Sequence, residues 1–267
     1  MRKILVLNQK GGVGKTTTVA NLGAALAERG RKVLMVDADP QANLSIHFGI
    51  ELERGQPSLY TFIMGESTVR DVVRATSMPG LGIIPSNIDM AGLAVELAGQ
   101  PDRLFALRRC LAQVPDGFDY VLIDSPPSLG LVTINGMCAA REIFIPLQTE
   151  FFALQGLGKL THTVDLVRAK ANPALEITGV LPCMHDRRTC LAHEILSDIR
   201  KHFGPKVFGT IIRKNVRLAE APGFGLPITL YEPECNGAAD YRALAAEVVA
   251  MEAGAAAPPA AADAAVA

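Results

Sequence analysis

Two lysines five residues apart frame a glycine-rich run, Lys10-Gly11-Gly12-Val13-Gly14-Lys15-Thr16-Thr17. Glycines let successive backbone N–H groups converge on phosphate oxygens, and a helix starting near Lys15 would add its positive dipole end. Lys15 is then placed to neutralise β- and γ-phosphates, and the Thr16 hydroxyl to ligate Mg2+. The usual phosphate-loop pattern, G-x-x-x-x-G-K-[ST], demands a glycine at position 9, where this chain has Gln9. The first glycine is missing, and an extra lysine stands beside its place.

Three carboxylates follow apolar runs. "VLMVDAD" ends in Asp37 and Asp39, two residues apart and so on the same side of an extended chain, and "YVLID" ends in Asp124. In an open parallel sheet the C-terminal strand ends line the ligand crevice, and an aspartate closing an apolar run is the form expected of a residue that orients a magnesium shell. Any one of them could merely cap the turn before Pro40 or Ser125. Three beside a phosphate loop point to metal and water chemistry.

These residues need elements to hold them. Short apolar runs alternate with stretches of helical period, which predicts an α/β fold with a mostly parallel twisted sheet and helices on both faces; the phosphate loop makes the expected class a single-domain P-loop NTPase. Strands are expected at 3–8, 32–37, 81–86, 120–124, 142–147, 177–183 and 206–212, and helices near 15–29, 91–98, 102–114, 130–140, 154–171, 190–202 and 239–251. No repeat or linker divides residues 1–252. From 253 to 267 an Ala/Pro-rich tract has nothing large to bury and is expected to be a disordered tail.

The 267 residues are 49% hydrophobic and 20% charged, with a formal net charge of -1, so any nucleic-acid contact must come from a local patch. Between Asp186 and Arg217 eight cations face three carboxylates, a surplus of five, which leaves -6 for the remainder. Such asymmetry is the footprint of phosphate-backbone contact by an otherwise acidic protein. Five cysteines without a C-x-x-C pair suit free thiols in a reducing compartment, and nothing resembles a signal peptide or membrane span, so a cytoplasmic protein is expected. The five histidines have no ligand spacing, which argues against a metal other than Mg2+. "GLGK" at 156–159 lacks the following hydroxyl and reads as surface, while Met137, Met184 and Met251 read as core gap-fillers.

The block K-G-G-x-G-K-T-T, together with "VDADPQAN", "IDSPPSLG", "EFFALQGLGKL" and "TIIRKNVRLAEAPGFGLPI", resembles the ParA/MinD family of deviant Walker A P-loop ATPases, on the ParA/Soj side, over about residues 2–250. The resemblance implies ATP and Mg2+ as cofactors, with Lys10, Gly11, Gly12, Val13, Gly14, Lys15, Thr16, Thr17, Met184 and Asn215 at the nucleotide, Asn215 near the base. It implies Thr16, Asp37 and Asp124 at the metal, and Lys10, Lys15 and Asp39 in catalysis. Lys10 would reach the phosphates of a second subunit, making nucleotide state and homodimerisation one event, as an arginine finger does. It further implies non-specific DNA binding on the nucleoid through Arg188, Arg213, Lys214 and Arg217, and a ParB-type partner that stimulates turnover. The chain has Arg213-Lys214-Asn215 where the family commonly has "PRN". A MinD-like membrane role is the alternative, disfavoured because the tail has no lysine or arginine. Iron-sulfur carriers of the superfamily need paired cysteines, and related biosynthetic ligases would need a small organic substrate.

Overall fold

Strands β1 (Arg2–Val6), β2 (Val33–Asp37), β3 (Arg74–Ala75), β4 (Leu81–Ile84), β5 (Tyr120–Asp124), β6 (Glu142–Gln148) and β7 (Glu176–Cys183) form one sheet in the order β3-β4-β2-β5-β1-β6-β7. The computed structural model describes residues 1–150 and 156–256. All pairings are parallel except β3 with β4.

The apolar strand runs are continuous because both faces of the sheet are covered. Ile4 and Val6 pack into one core with the Lys15–Glu28 and Asn236–Ala256 helices. Leu5 and Leu7 pack into the other, with Leu131–Ala139, Leu157–Lys170 and Cys190–Phe203. Alternation along each strand thus assigns its residues to two cores rather than to core and solvent.

Six of the seven expected strands are present. Residues 206–212 form none; they meet β7 through an isolated bridge, Val180 to Val207, and through the Phe208 and Ile212 N–H groups, which donate to the Val180 and Pro182 carbonyls at 2.9 Å. The N–H groups of Gly209 and Thr210, which a strand would pair with a neighbour, donate instead to the Glu247 carboxylate at 2.7 and 3.0 Å. Beside this segment β7 carries an irregularity in its register with β6, where Phe144 pairs with Gly179. A Cβ at Gly179 would lie 2.4 Å from the Phe208 ring and 2.8 Å from that of Phe144. Gly179→Ala is therefore expected to cost about 1–3 kcal/mol, read as a lower denaturant midpoint at unchanged slope.

The sequence reading also misses the two-residue β3 and the short helices Asn43–His47, Leu59–Met64, Val69–Val72, Arg217–Glu220 and Ile228–Tyr231, all too short to show a period. The helices expected at 91–98 and 102–114 are reduced to Leu93–Glu96 and Ala106–Leu111, each led by a 3-10 turn. The last helix runs from Asn236 to Ala256, so the first four residues of the Ala/Pro tract continue it, as alanine's helix propensity favours. The rest of the expected tail, and positions 154–155 of the expected helix at 154–171, lie outside the described residues.

Candidate functional site

The loop between β1 and the Lys15–Glu28 helix lies at the C-terminal edge of the sheet. Gly12 and Gly14 have φ of 73° and 91°, a left-handed conformation that side chains resist, and Gly14 is the residue from which the helix starts. Val13 is buried and anchors the loop from below, while Gly11 and Gly12 are exposed. Lys15 is buried, and its ammonium reaches the Lys10 carbonyl at 3.3 Å. Burial lowers its pKa, and Asp124 and Asp39 work against that.

The register of the parallel sheet sets Asp37 directly beside Asp124. Both are fully buried. The Thr16 hydroxyl donates to Asp124 Oδ2 at 2.7 Å, and Asp124 Oδ1 has no partner. A hydroxyl and a carboxylate oxygen left unsatisfied in a buried position are the hard donors that suit a magnesium shell.

Asp37 does something else. Its Oδ2 accepts from the Ser45 N–H at 2.8 Å and the Ser45 hydroxyl at 2.7 Å, and its Oδ1 from the Asp39 N–H at 3.1 Å. Among the described residues no three His, Cys, Asp or Glu side chains come together as a metal-binding group. The three expected carboxylates share an edge, and the bonds to Asp37 fix the turn that carries Asp39. Asp39 is 7% exposed, and one of its oxygens accepts from the Gln41 N–H at 3.0 Å.

Two buried carboxyls side by side disfavour the charged form. Burial first, and then the neighbouring Asp37, push Asp124 up to about 8; burial, opposed by the Ser45 bonds, pushes Asp37 up to about 6. The folded protein thus binds protons that the unfolded chain, near the ordinary 3.8, has released. That stabilisation is complete below the ordinary value and is lost as pH rises through the folded ones. Without nucleotide, the melting temperature should fall as pH rises from the ordinary 3.8 to about 8. Asp124→Asn should flatten the fall, and melting curves at stepped pH check it.

Lys10 lies at the rim, with its side chain 43% exposed. Its ammonium donates to Gln148 Oε1 at 2.8 Å and lies 3.5 Å from Glu150. Gln148 also donates to the Gly12 carbonyl at 3.1 Å and contacts Met184 Sδ at 3.0 Å. Met184, expected among core gap-fillers, is instead 39% exposed with φ of 53°, beside the loop; Met137 is fully buried. Thr17 follows Thr16 into the helix, and its carbonyl accepts from the Asn21 side chain. Asn215 sits by the start of the last helix, its Oδ1 accepting from the Arg217 N–H at 2.9 Å. Gln148 and Glu150 went unread although they close an apolar strand as Asp37 and Asp124 do. Ser45 had no signal, because it lies eight positions from Asp37, in a helix too short to show a period.

The basic segment is drawn together by an isolated parallel bridge between His185 and Arg213. Arg188 is 86% exposed and pairs with Asp186 at 2.7 Å; Arg217 is 48% exposed and pairs with Glu220 at 2.8 Å. Lys214 is exposed. Arg213 differs. Its guanidinium reaches both oxygens of Asp240 at 2.6–3.0 Å, and its own N–H donates to the same carboxylate at 2.9 Å. Asp240 is only 9% exposed, so this arginine holds the last helix through a pair more buried than those of Arg188 and Arg217. Lys159 of "GLGK" is exposed, as expected, and the five cysteines are free thiols. No helix among the described residues is long and apolar enough to cross a membrane.

The family described as "AAA domain" matches residues 1–177. Chromosome partitioning protein ParA of Caulobacter vibrioides strain NA1000 is 47% identical over 254 residues, covering 94% of this chain and 95% of that protein. Chromosome-partitioning ATPase Soj of Treponema pallidum is 49% identical over 253 residues, covering 94% and 99%. Among solved structures, cobyrinic acid a,c-diamide synthase of Mycobacterium smegmatis with bound ADP and magnesium superposes with TM-score 0.84 at 35% identity, covering 95% and 96%. The Pyrococcus furiosus cell division ATPase MinD does so with TM-score 0.77 at 28% identity, covering 94% and 99%. With this likeness along nearly its whole length, and with the deviant lysine at the rim of its glycine loop, the chain belongs to the ParA/MinD family of P-loop ATPases.

Proposed function

We propose that the chain is a Mg2+-dependent ATPase switch: ATP joins two copies, the pair binds DNA without sequence preference, and hydrolysis stimulated by a ParB-type partner releases it. The observation that carries this reading is the pairing of Thr16 with a buried Asp124 whose second oxygen is free, under a glycine loop with one buried and one exposed lysine. Thr16 and Asp124 would hold Mg2+, which when bound supplies positive charge to the β- and γ-phosphates. Lys15 and the N–H groups of residues 11–16 cradle those phosphates. Asp39 orients the attacking water and draws on its proton. Met184 and Asn215 flank the base.

Lys10 completes the site of the second copy. Its ion pair with Glu150 is mostly exposed, and such pairs are worth about 0–1 kcal/mol, so releasing it costs little against the charge of a partner's triphosphate. Arg188, Lys214 and Arg217 form the DNA face. The carboxylate partners of Arg188 and Arg217 lie on the surface, where phosphates can replace them. By this reading the protein works in the cytoplasm, on the nucleoid, and positions a chromosome, plasmid or protein cargo.

The test is retention on random-sequence DNA with ATP, ADP and no nucleotide. Retention should require ATP and weaken steeply with salt; equal retention in all three states would sink the switch. Retention on anionic vesicles rather than DNA would favour the MinD-like alternative. The M. smegmatis structure motivates a biosynthetic reading as well. Turnover of ATP with no organic substrate present argues against it.

A further inference from the structure

At the end of the sheet opposite the phosphate loop, a cavity of about 830 Å3 opens between the first residues of β1, β6 and β7 and the last turns of the helices that end there. That volume lies within the roughly 300–1,000 Å3 of ligand pockets. Five cations line it. Arg2 is held by Glu142 at 2.7 Å and Arg31 by Glu252 at 2.6 Å. The other three, Lys3, Arg108 and Arg141, have no carboxylate partner among the described residues, and Arg108 has only the ring of Phe105, 5.0 Å away.

Cations at such a place could simply serve the negative ends of helices. Here three of those carbonyls are already taken: Met137 O and Ala140 O accept from Asn172 Nδ2 at 2.8 and 2.7 Å, and Val248 O accepts from Arg2 at 2.7 Å. Of the cavity's remaining carboxylates, Asp119 accepts from the Lys32 N–H, and Glu176 is exposed. Lys3 is half-buried, and both its burial and the nearby Arg108 lower its pKa. A pair of like charges on a cavity wall, one of them half-buried, is relieved by an anion between them.

We propose that this cavity binds a small multiply charged anion, bearing phosphate or clustered carboxylate groups, on Lys3, Arg108 and Arg141, while the apolar wall formed by Ala139, Ala140 and Met251 accepts its uncharged part. The site is remote from the phosphate loop and does not depend on the proposed ATPase cycle.

Inorganic pyrophosphate and citrate, titrated separately by calorimetry, distinguish the two anion chemistries. The titrations are run with saturating Mg-ADP and again in Lys15→Ala, so that phosphate-loop binding is not mistaken for this site. One anion should bind in both settings, about tenfold or more weakly in Lys3→Gln/Arg108→Gln and unchanged in Lys201→Gln. Absence of binding, or equal binding by the double variant, overturns the site. Lys3→Gln alone should raise the melting temperature in anion-free buffer, since it removes a disfavoured charge. A fall would mean that Lys3 has an internal partner, and would overturn it too.

Discussion

Replacing Asp39 by alanine should lower ATP turnover by about 10²- to 10⁴-fold, the range contributed by a positioned proton acceptor, while nucleotide remains bound. Asp39 lies two residues past the end of β2 and is buried, on a turn fixed from below by Asp37 and Ser45. One oxygen takes the Gln41 N–H. Its charge also favours the ammonium form of Lys15, which places it near the phosphates. Asp39→Asn keeps the shape and the acceptor for Gln41 but cannot take a proton, so it should lose turnover as alanine does. Single-turnover phosphate release measures the loss, and DNA retention in ATP should lengthen in parallel. Turnover within a few-fold of wild type in both variants would exclude the residue from the chemistry.

Lys10→Ala should abolish ATP-dependent pairing, seen by light scattering, and reduce turnover by about 10³- to 10⁵-fold, as loss of a cation supplied in trans does. The side chain rests on the surface against Gln148 and Glu150, so its removal should leave the fold and the ATP affinity of the single subunit little changed. Lys15→Ala is a different lesion, because Lys15 is buried within the loop and its loss strikes nucleotide binding itself. A Lys10→Ala protein that still pairs in ATP, or a wild type that never does, would remove the basis of the proposed switch.

The two lysines show how much of the site is legible locally. A phosphate loop is built from consecutive residues, its backbone φ values follow from its glycines, and its lysine and threonine are adjacent in sequence. Asp37 and Asp124 were legible for a related reason: apolar runs mark parallel strands, and the residue ending each one must lie at the same edge. The segment at 206–212 looked like another strand by composition, but the N–H groups at its centre, of Gly209 and Thr210, found the carboxylate of Glu247, a side chain some 37 residues further on. Arg213 likewise has a partner distant in sequence. It belongs to a basic run in sequence, yet in space it faces Asp240.

The sequence by itself therefore determined the doubly covered sheet, the phosphate loop, the strand-end carboxylates and the family. All of these depend on periodicity or on residues within one turn of each other. Only the tertiary structure decided how those residues divide the work. It bound Asp37 to Ser45, left one oxygen of Asp124 unpaired, parked Lys10 on Gln148, and paired Arg213 with Asp240. Each of these is set by how chain segments meet at separations no local pattern encodes, and burial makes the Asp37 bonds costly to leave unmade.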